Sequence, residues 1–219
     1  MTNVLTNPDR FFAELSGRDV NLKTPFVIVL VSAIIGAIHA MLIFRVMISV
    51  LPEEIAAIYS AFATISAISN LITPFISWVL CTAVFYTVSM LFKGEGSFER
   101  VFEFVGYGFI PMIIATVVGL VTTMIMMPAI GFPLGNPEFV HQTMTQHLLR
   151  YGQVVTVSAI IQFLLVLWSV IIWIFGVKHA RNLGTGHAII TVLAMPVAFF
   201  LLLCILVICV IVAAQVGGI

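Results

Sequence analysis

Residues 55–92, "IAAIYSAFATISAISNLITPFISWVLCTAVFYTVSMLF", contain no Asp, Glu, Lys or Arg. As a single helix rising about 1.5 Å per residue, the stretch would be ~57 Å long. The hydrocarbon core of a bilayer is about 30 Å thick and takes about 20 apolar residues. The block is too long for one upright crossing, and counting it as one span or two fixes the sidedness of everything after it.

The rest of the chain says that a bilayer is the right frame. Of the 219 residues 62% are hydrophobic and only 8% charged, with a mean hydropathy of +1.21. Soluble domains carry about 25% charged residues, so this is a polytopic membrane protein. Its formal net charge of zero gives nucleic acid no purchase. Apolar blocks at 25–50, 104–127, 154–177 and 188–212 are four further candidate spans. The charged first turns of the chain leave no apolar core for a cleavable leader.

Basic residues are retained in the cytoplasm, and this resolves the long block. With one span there, Arg10, Arg18, Lys23, Lys93, Arg100, Lys178 and Arg181 share a side, and only Arg45 and Arg150 oppose them. With two spans the bias vanishes. The expectation is therefore an all-α protein with five transmembrane helices, N-terminus cytoplasmic and C-terminus outside. Residues 55–70 become an interfacial helix, and after a break at Pro74 the crossing runs over 71–92. Residues 1–24 form a cytoplasmic amphipathic segment and 25–219 the membrane domain. Within the segment, Asn7 reads as an N-cap, Pro8 as the first helical position and Gly17 as the stop. Phe11, Phe12 and Leu15 are expected to dip into the inner membrane face. The run "NPEFVHQTMTQHLLRYG" repeats the pattern outside, ending at Gly152.

The loop before the third span reads "KGEGSFERVFEFVGYGFIP", residues 93–111. Glu99, Glu103 and Tyr107 are four apart and share one helical stripe. Ser97 caps the helix and Glu99 sits in the first turn, where a carboxylate complements the helix dipole. Gly106 and Gly108 permit close backbone approach, and Pro111 frees a carbonyl one turn earlier. A carboxylate entering a span needs a partner. Glu103 and Tyr107 are therefore expected to tie the third span to Lys178 or Arg181.

The "GSF…GYGFIP" run, with Gly106, Tyr107 and Pro111, resembles the Yip family, the small five-span membrane proteins named for interacting with Ypt/Rab GTPases. Prokaryotic members show a "GxGSF" turn, matched by Gly94, Gly96, Ser97 and Phe98. Eukaryotic members carry "DLxGP" before the first span. This chain has "NLKTP", keeping Leu22 and Pro25, with Asn21 for the acid and Thr24 for the glycine. The resemblance implies a prokaryotic-type, non-enzymatic protein that organises membrane or binds a protein partner at the cytoplasmic face.

A rival reading starts from His39, Arg45, Asn70 and Gln162, polar residues in the outward half of the spans. They would line a vestibule of a small-solute or ion transporter, or else bond between helices, with Arg45 snorkelling outward. Ser32, Gly36 and Ala40 form a small-residue ridge suited to packing inside the bundle. His141 and His147 are six apart and share no helical face; a metal site assembled from Glu53, Glu54 and His141 is the weaker alternative. The spans hold no aspartate, no Ser/His pair and no HExxH, so neither catalysis nor a cofactor is expected. Cys81, Cys204 and Cys209 fall in apolar blocks and read as small buried residues. No oligomeric state is specified.

Overall fold

The computed structural model describes residues 2–48, 53–126 and 137–216. Among these every regular element is a helix: α1 (Thr2–Thr6), α2 (Pro8–Ser16), α3 (Lys23–Ile48), α4 (Glu53–Leu91), α5 (Phe98–Tyr107), α6 (Phe109–Met126), α7 (Pro137–Ala180) and α8 (Thr185–Val216). Four stretches are long and apolar enough to cross a membrane: Lys23–Arg45, Ile55–Leu91, Phe98–Met126 and Tyr151–Ala180. A shorter apolar run, Thr185–Ala198, lies in α8.

The chain divides into two compact units. One comprises Met1–Val20, Leu80–Val105 and Trp173–Ile219; the other comprises Asn21–Val79 and Gly106–Ile172.

In the second unit α3 packs on α6. The small-residue ridge is the reason: Ser32, Ala33, Ala37 and Ala40 are all buried, and small side chains let helices approach closely where lipid supplies no hydrophobic drive. The break expected at Pro74 does not occur, and α4 runs unbroken through it. Proline removes the bond to the carbonyl one turn back, that of Asn70. Gly36 of α3 lies beside Asn70, with 3.6 Å between its would-be Cβ and Asn70 Oδ1. In the same turns Asn70 Nδ2 donates to Ser66 O at 2.9 Å and Thr73 Oγ1 to Ser69 O at 2.7 Å, neither of which is the carbonyl that Pro74 frees.

Two further boundaries differ from expectation. The outer element ending at Gly152 is part of one helix, since α7 continues from Pro137 to Ala180; a lone glycine costs about 1 kcal/mol and does not end a long helix by itself. The third span, in contrast, is divided at Gly108 into α5 and α6. Pro111 has no N–H to offer the Tyr107 carbonyl. At the end of α5 the Val105 carbonyl accepts instead from the buried Trp173 indole N–H at 2.8 Å. An indole thus satisfies a carbonyl that the helix leaves orphaned.

In the first unit Phe12 does not face lipid. It is fully buried, its ring 4.8 Å from that of Phe104, and Phe12 and Phe104 both border Gly176. Asn7 caps α2 by accepting from Arg10 N at 3.1 Å, and α2 ends before Gly17, as the sequence indicates. Cys81 is buried with its Sγ 3.4 Å from Met195 Sδ, whereas Cys209 is exposed.

Replacing Trp173 by Phe keeps the ring and leaves the buried Val105 carbonyl without its donor. The thermal midpoint in detergent should fall by an amount equivalent to ~1–3 kcal/mol, while Trp168→Phe, at an exposed position, leaves it unchanged.

Candidate functional site

In the first unit α4 and α7 end in the same way. Beyond Leu91, Lys93 takes a left-handed φ of 55°, and Gly94 N returns to Ser89 O at 3.0 Å. Beyond Ala180, Asn182 takes a φ of 52°, and Leu183 N returns to Lys178 O at 2.9 Å. Both are Schellman endings, with Lys and Asn where glycine is usual.

Arg181 stands between the two endings and is only 3% exposed. Its Nε donates to Ser89 Oγ at 2.8 Å, its Nη1 to the Gly96 carbonyl and its Nη2 to the Gly94 carbonyl. The guanidinium also lies over the Tyr86 ring, 4.4 Å from its centroid. The Arg181 carbonyl accepts from Glu95 N at 2.9 Å. The cation is therefore held by backbone oxygens at the negative end of a helix dipole and by a π-face. Gly96 has a φ of 120°, and a Cβ there would collide with the Ala180 carbonyl oxygen.

Glu103 is fully buried and accepts from Arg100 Nη1 at 2.7 Å. For Glu103 this replaces the expected tie to Lys178 or Arg181 with a nearer cation. Arg100 lies three residues earlier on the same helix face, so neutralisation is local, and Lys178 and Arg181 have other acceptors. Arg100 also donates to the carbonyls of Leu15 and Arg18, fastening the chain after α2. Lys178 Nζ and His179 Nε2 both bond Asp9 Oδ1, at 2.7 and 2.6 Å. These bonds, that from Lys178 first and that from His179 next, hold the Asp9 carboxyl below its usual range. Ser97 Oγ accepts from Arg100 N at 3.3 Å, which is the expected cap, and Glu99 is exposed in the first turn of α5.

The second unit places two motif residues in contact. A Cβ on Gly106 would lie 2.5 Å from Pro25 Cβ and 3.2 Å from Trp78. Pro25, Tyr107 and Pro111 are buried, and Leu22 is 37% exposed. His39 and Asn70 line a cavity of about 360 Å³ with Ser32, Ser66, Thr73 and Thr116. The Thr123 hydroxyl donates to Gly119 O and accepts from His39 Nε2, each at 3.0 Å. Gln162 Nε2 donates to Ser158 Oγ at 2.9 Å, and the Gln162 and His39 side chains both border the space beside Gly119. Arg45 is not with them; it lines a separate apolar groove. The side chains of Glu53, Glu54, His141 and His147 lie outside the described residues.

A family model for the Yip1 domain matches residues 2–208. The chain belongs to the Yip1 domain family. An uncharacterised protein of Methanocaldococcus jannaschii is 36% identical over 118 residues, covering 54% of this chain and 84% of that protein. No solved structure matches. The matched residues include Asp9, Ser89, Arg100, Glu103, Lys178 and Arg181. Among the site residues the sequence singled out Arg181, Glu103 and Lys178, and missed Asp9, Ser89, Arg100 and Tyr86. The spacing of Arg100 and Glu103 on one face was a readable signal; nothing in the sequence pairs Asp9 with Lys178.

Two outcomes follow for this Yip1 domain. Gly96→Ala should destabilise by at least ~2 kcal/mol through backbone strain and collision, and Arg181→Lys by ~1–3 kcal/mol through loss of the planar fork. Gly184→Ala, with nothing near its Cβ position, should be silent in the same thermal scan. Asp9 supplies a pH dependence. Because its folded pKa is depressed, its contribution is whole above the ordinary value of 3.8 and disappears as pH falls through the lowered value. With the carboxylate 48% exposed, screening keeps that contribution under ~1 kcal/mol. Hydrogen exchange of α2 amides, corrected for intrinsic rate, should speed up on acidification, and Asp9→Asn should already show the faster exchange at neutral pH.

Proposed function

We propose that this is a non-enzymatic, multi-pass protein of the cell membrane whose cytoplasmic face binds a protein partner and so helps organise the membrane. Its five crossings are the four long apolar stretches and α8, with the N-terminus cytoplasmic and the C-terminus outside. The observation that carries the reading is the clamp. Arg100, Arg181 and Asp9 join three stretches distant in sequence, residues 2–18, 93–103 and 178–187, within one unit. Around these fixed points Arg10, Glu14, Arg18, Lys93, Glu95 and Glu99 are exposed. A surface of both charge signs on a rigid frame suits a protein partner, by charge complementarity, better than a uniformly anionic surface. The "NLKTP" departure removes an acid at position 21, so GTPase recognition of the eukaryotic kind is not part of the proposal.

The transporter reading is weaker. Thr73, Thr116, Thr122 and Thr123 give hydrogen bonds to carbonyls of their own helices, and Gln162 bonds Ser158. Those donors are engaged within their own helices, while His39 with Thr123 and Thr122 with Ser158 bond between helices, which supports the interhelical reading for His39.

The test is topological first. In a cysteine-free background, single cysteines at Ser16, Ser97 and Thr185 should resist an impermeant thiol reagent applied outside, and one at Asn136 should react. Labelling of Ser97 from outside would overturn the orientation, since the positive-inside argument rests on that loop. A photo-crosslinker at Glu95 or Glu99 should then give a discrete adduct in native membranes that Arg181→Ala weakens. Equal adducts in the variant would refute a role for the clamp.

A further inference from the structure

Arg45 lies in the last turn of α3 and is exposed, and no described residue accepts from its guanidinium. It stands on a groove of about 730 Å³ formed by α3, α4 and α6, all within the second unit. The lining is mostly apolar and includes Ile38, Met41, Leu71 and Met124 together with the small Ala63 and Ala67. Hydroxyls enter from Ser60 and Thr64; that of Thr64 bonds Ser60 O, whereas that of Ser60 is open among the described residues. The groove is thus amphiphilic: an aliphatic trough marked by one cation and one hydroxyl.

We propose that this groove is a binding site for one anionic phospholipid, its phosphate on Arg45 and Ser60 and an acyl chain along Ile38, Met41, Leu71 and Met124. Charge complementarity selects this occupant. A cation on a membrane helix is costly unless it finds an anion or reaches water, and a guanidinium engages phosphate through paired N–H donors. Small lining residues, Ala63 and Ala67, leave volume that a chain would fill. A zwitterionic lipid has the same tails, but its headgroup brings a second cation against Arg45, so selectivity for net negative charge follows from the site. The site is independent of the cytoplasmic clamp.

Native mass spectrometry of the full chain, released from detergent with phosphatidylglycerol or phosphatidylcholine added, reads the proposal directly. The wild type should retain one phosphatidylglycerol with a preference of about tenfold over phosphatidylcholine, the scale of one charge-assisted contact. Arg45→Gln should abolish the preference while leaving weak retention of both lipids, and Arg45→Lys should keep part of it. Ala63→Phe, which fills the trough and keeps the charge, should reduce retention of both lipids; it remains informative if Arg45→Gln does not fold. An undiminished preference in Arg45→Gln overturns the proposal, as does unchanged retention in Ala63→Phe. Inorganic phosphate that competes as well as the lipid would also overturn it, because the trough would then contribute nothing. Equal retention of both lipids by the wild type would sink it outright.

Discussion

A buried guanidinium with a π-face and carbonyls for company is the constraint on which the first unit depends. Taking a cation out of water costs several kcal/mol unless its donors are matched, and Arg181 meets that cost with Ser89, Gly94, Gly96 and the Tyr86 ring. The Gly94 and Gly96 carbonyls are available because α4 stops at Leu91 and the chain turns left-handed at Lys93. Arginine suits the site because its donors form a rigid planar fork; a lysine would bring the same charge without that geometry. The loop at 93–97 thus has its shape dictated by one side chain reaching from the far end of α7.

Close approach is the second organising theme. Gly106 admits Pro25 and Trp78, Gly119 admits His39, and Gly176 admits Phe12 and Phe104. In each case a large or rigid group occupies the space that a side chain would take. Dispersion and shape, rather than exclusion of water, hold helices together within lipid. Polar groups then bond locally, as His39 does with Thr123. Binding energy from such contacts is small per pair, so the fit of many glycines matters more than any one hydrogen bond.

Much of this was readable from local chemistry. Asn7, Pro8 and Gly17 marked α2, Ser97 marked the start of α5, and the small ridge of α3 marked its buried face, because caps and periodicity act over a single turn or stripe. Chain breaks were harder. Pro74 looked like a boundary, yet α4 runs through it; Gly108, less conspicuous than Pro111, is where the third span divides. Glu103 was assigned a distant cation because burial demands one, and the nearer Arg100 met the demand. Phe12 was assigned to lipid because an amphipathic helix at a membrane surface has that option, and Gly176, which makes room for it, lies more than a hundred residues away. The pairing of Asp9 with Lys178 and His179 depends on three-dimensional assembly and leaves no sequence pattern.

The separation of Asp9 from Lys178, 169 residues, also orders events during synthesis. At roughly 5–20 residues per second, α2 waits on the order of ten to thirty seconds before its binding cations emerge from the ribosome. Over that interval the Phe12 ring has no Gly176 to rest on, and the Gly94 and Gly96 carbonyls have no Arg181. The N-terminal segment is therefore made first and seated only after α7 is complete. Its docking is thereby conditional on the far end of α7: a chain that stops short of it has neither the space at Gly176 for Phe12 nor the Lys178 and His179 side chains for Asp9.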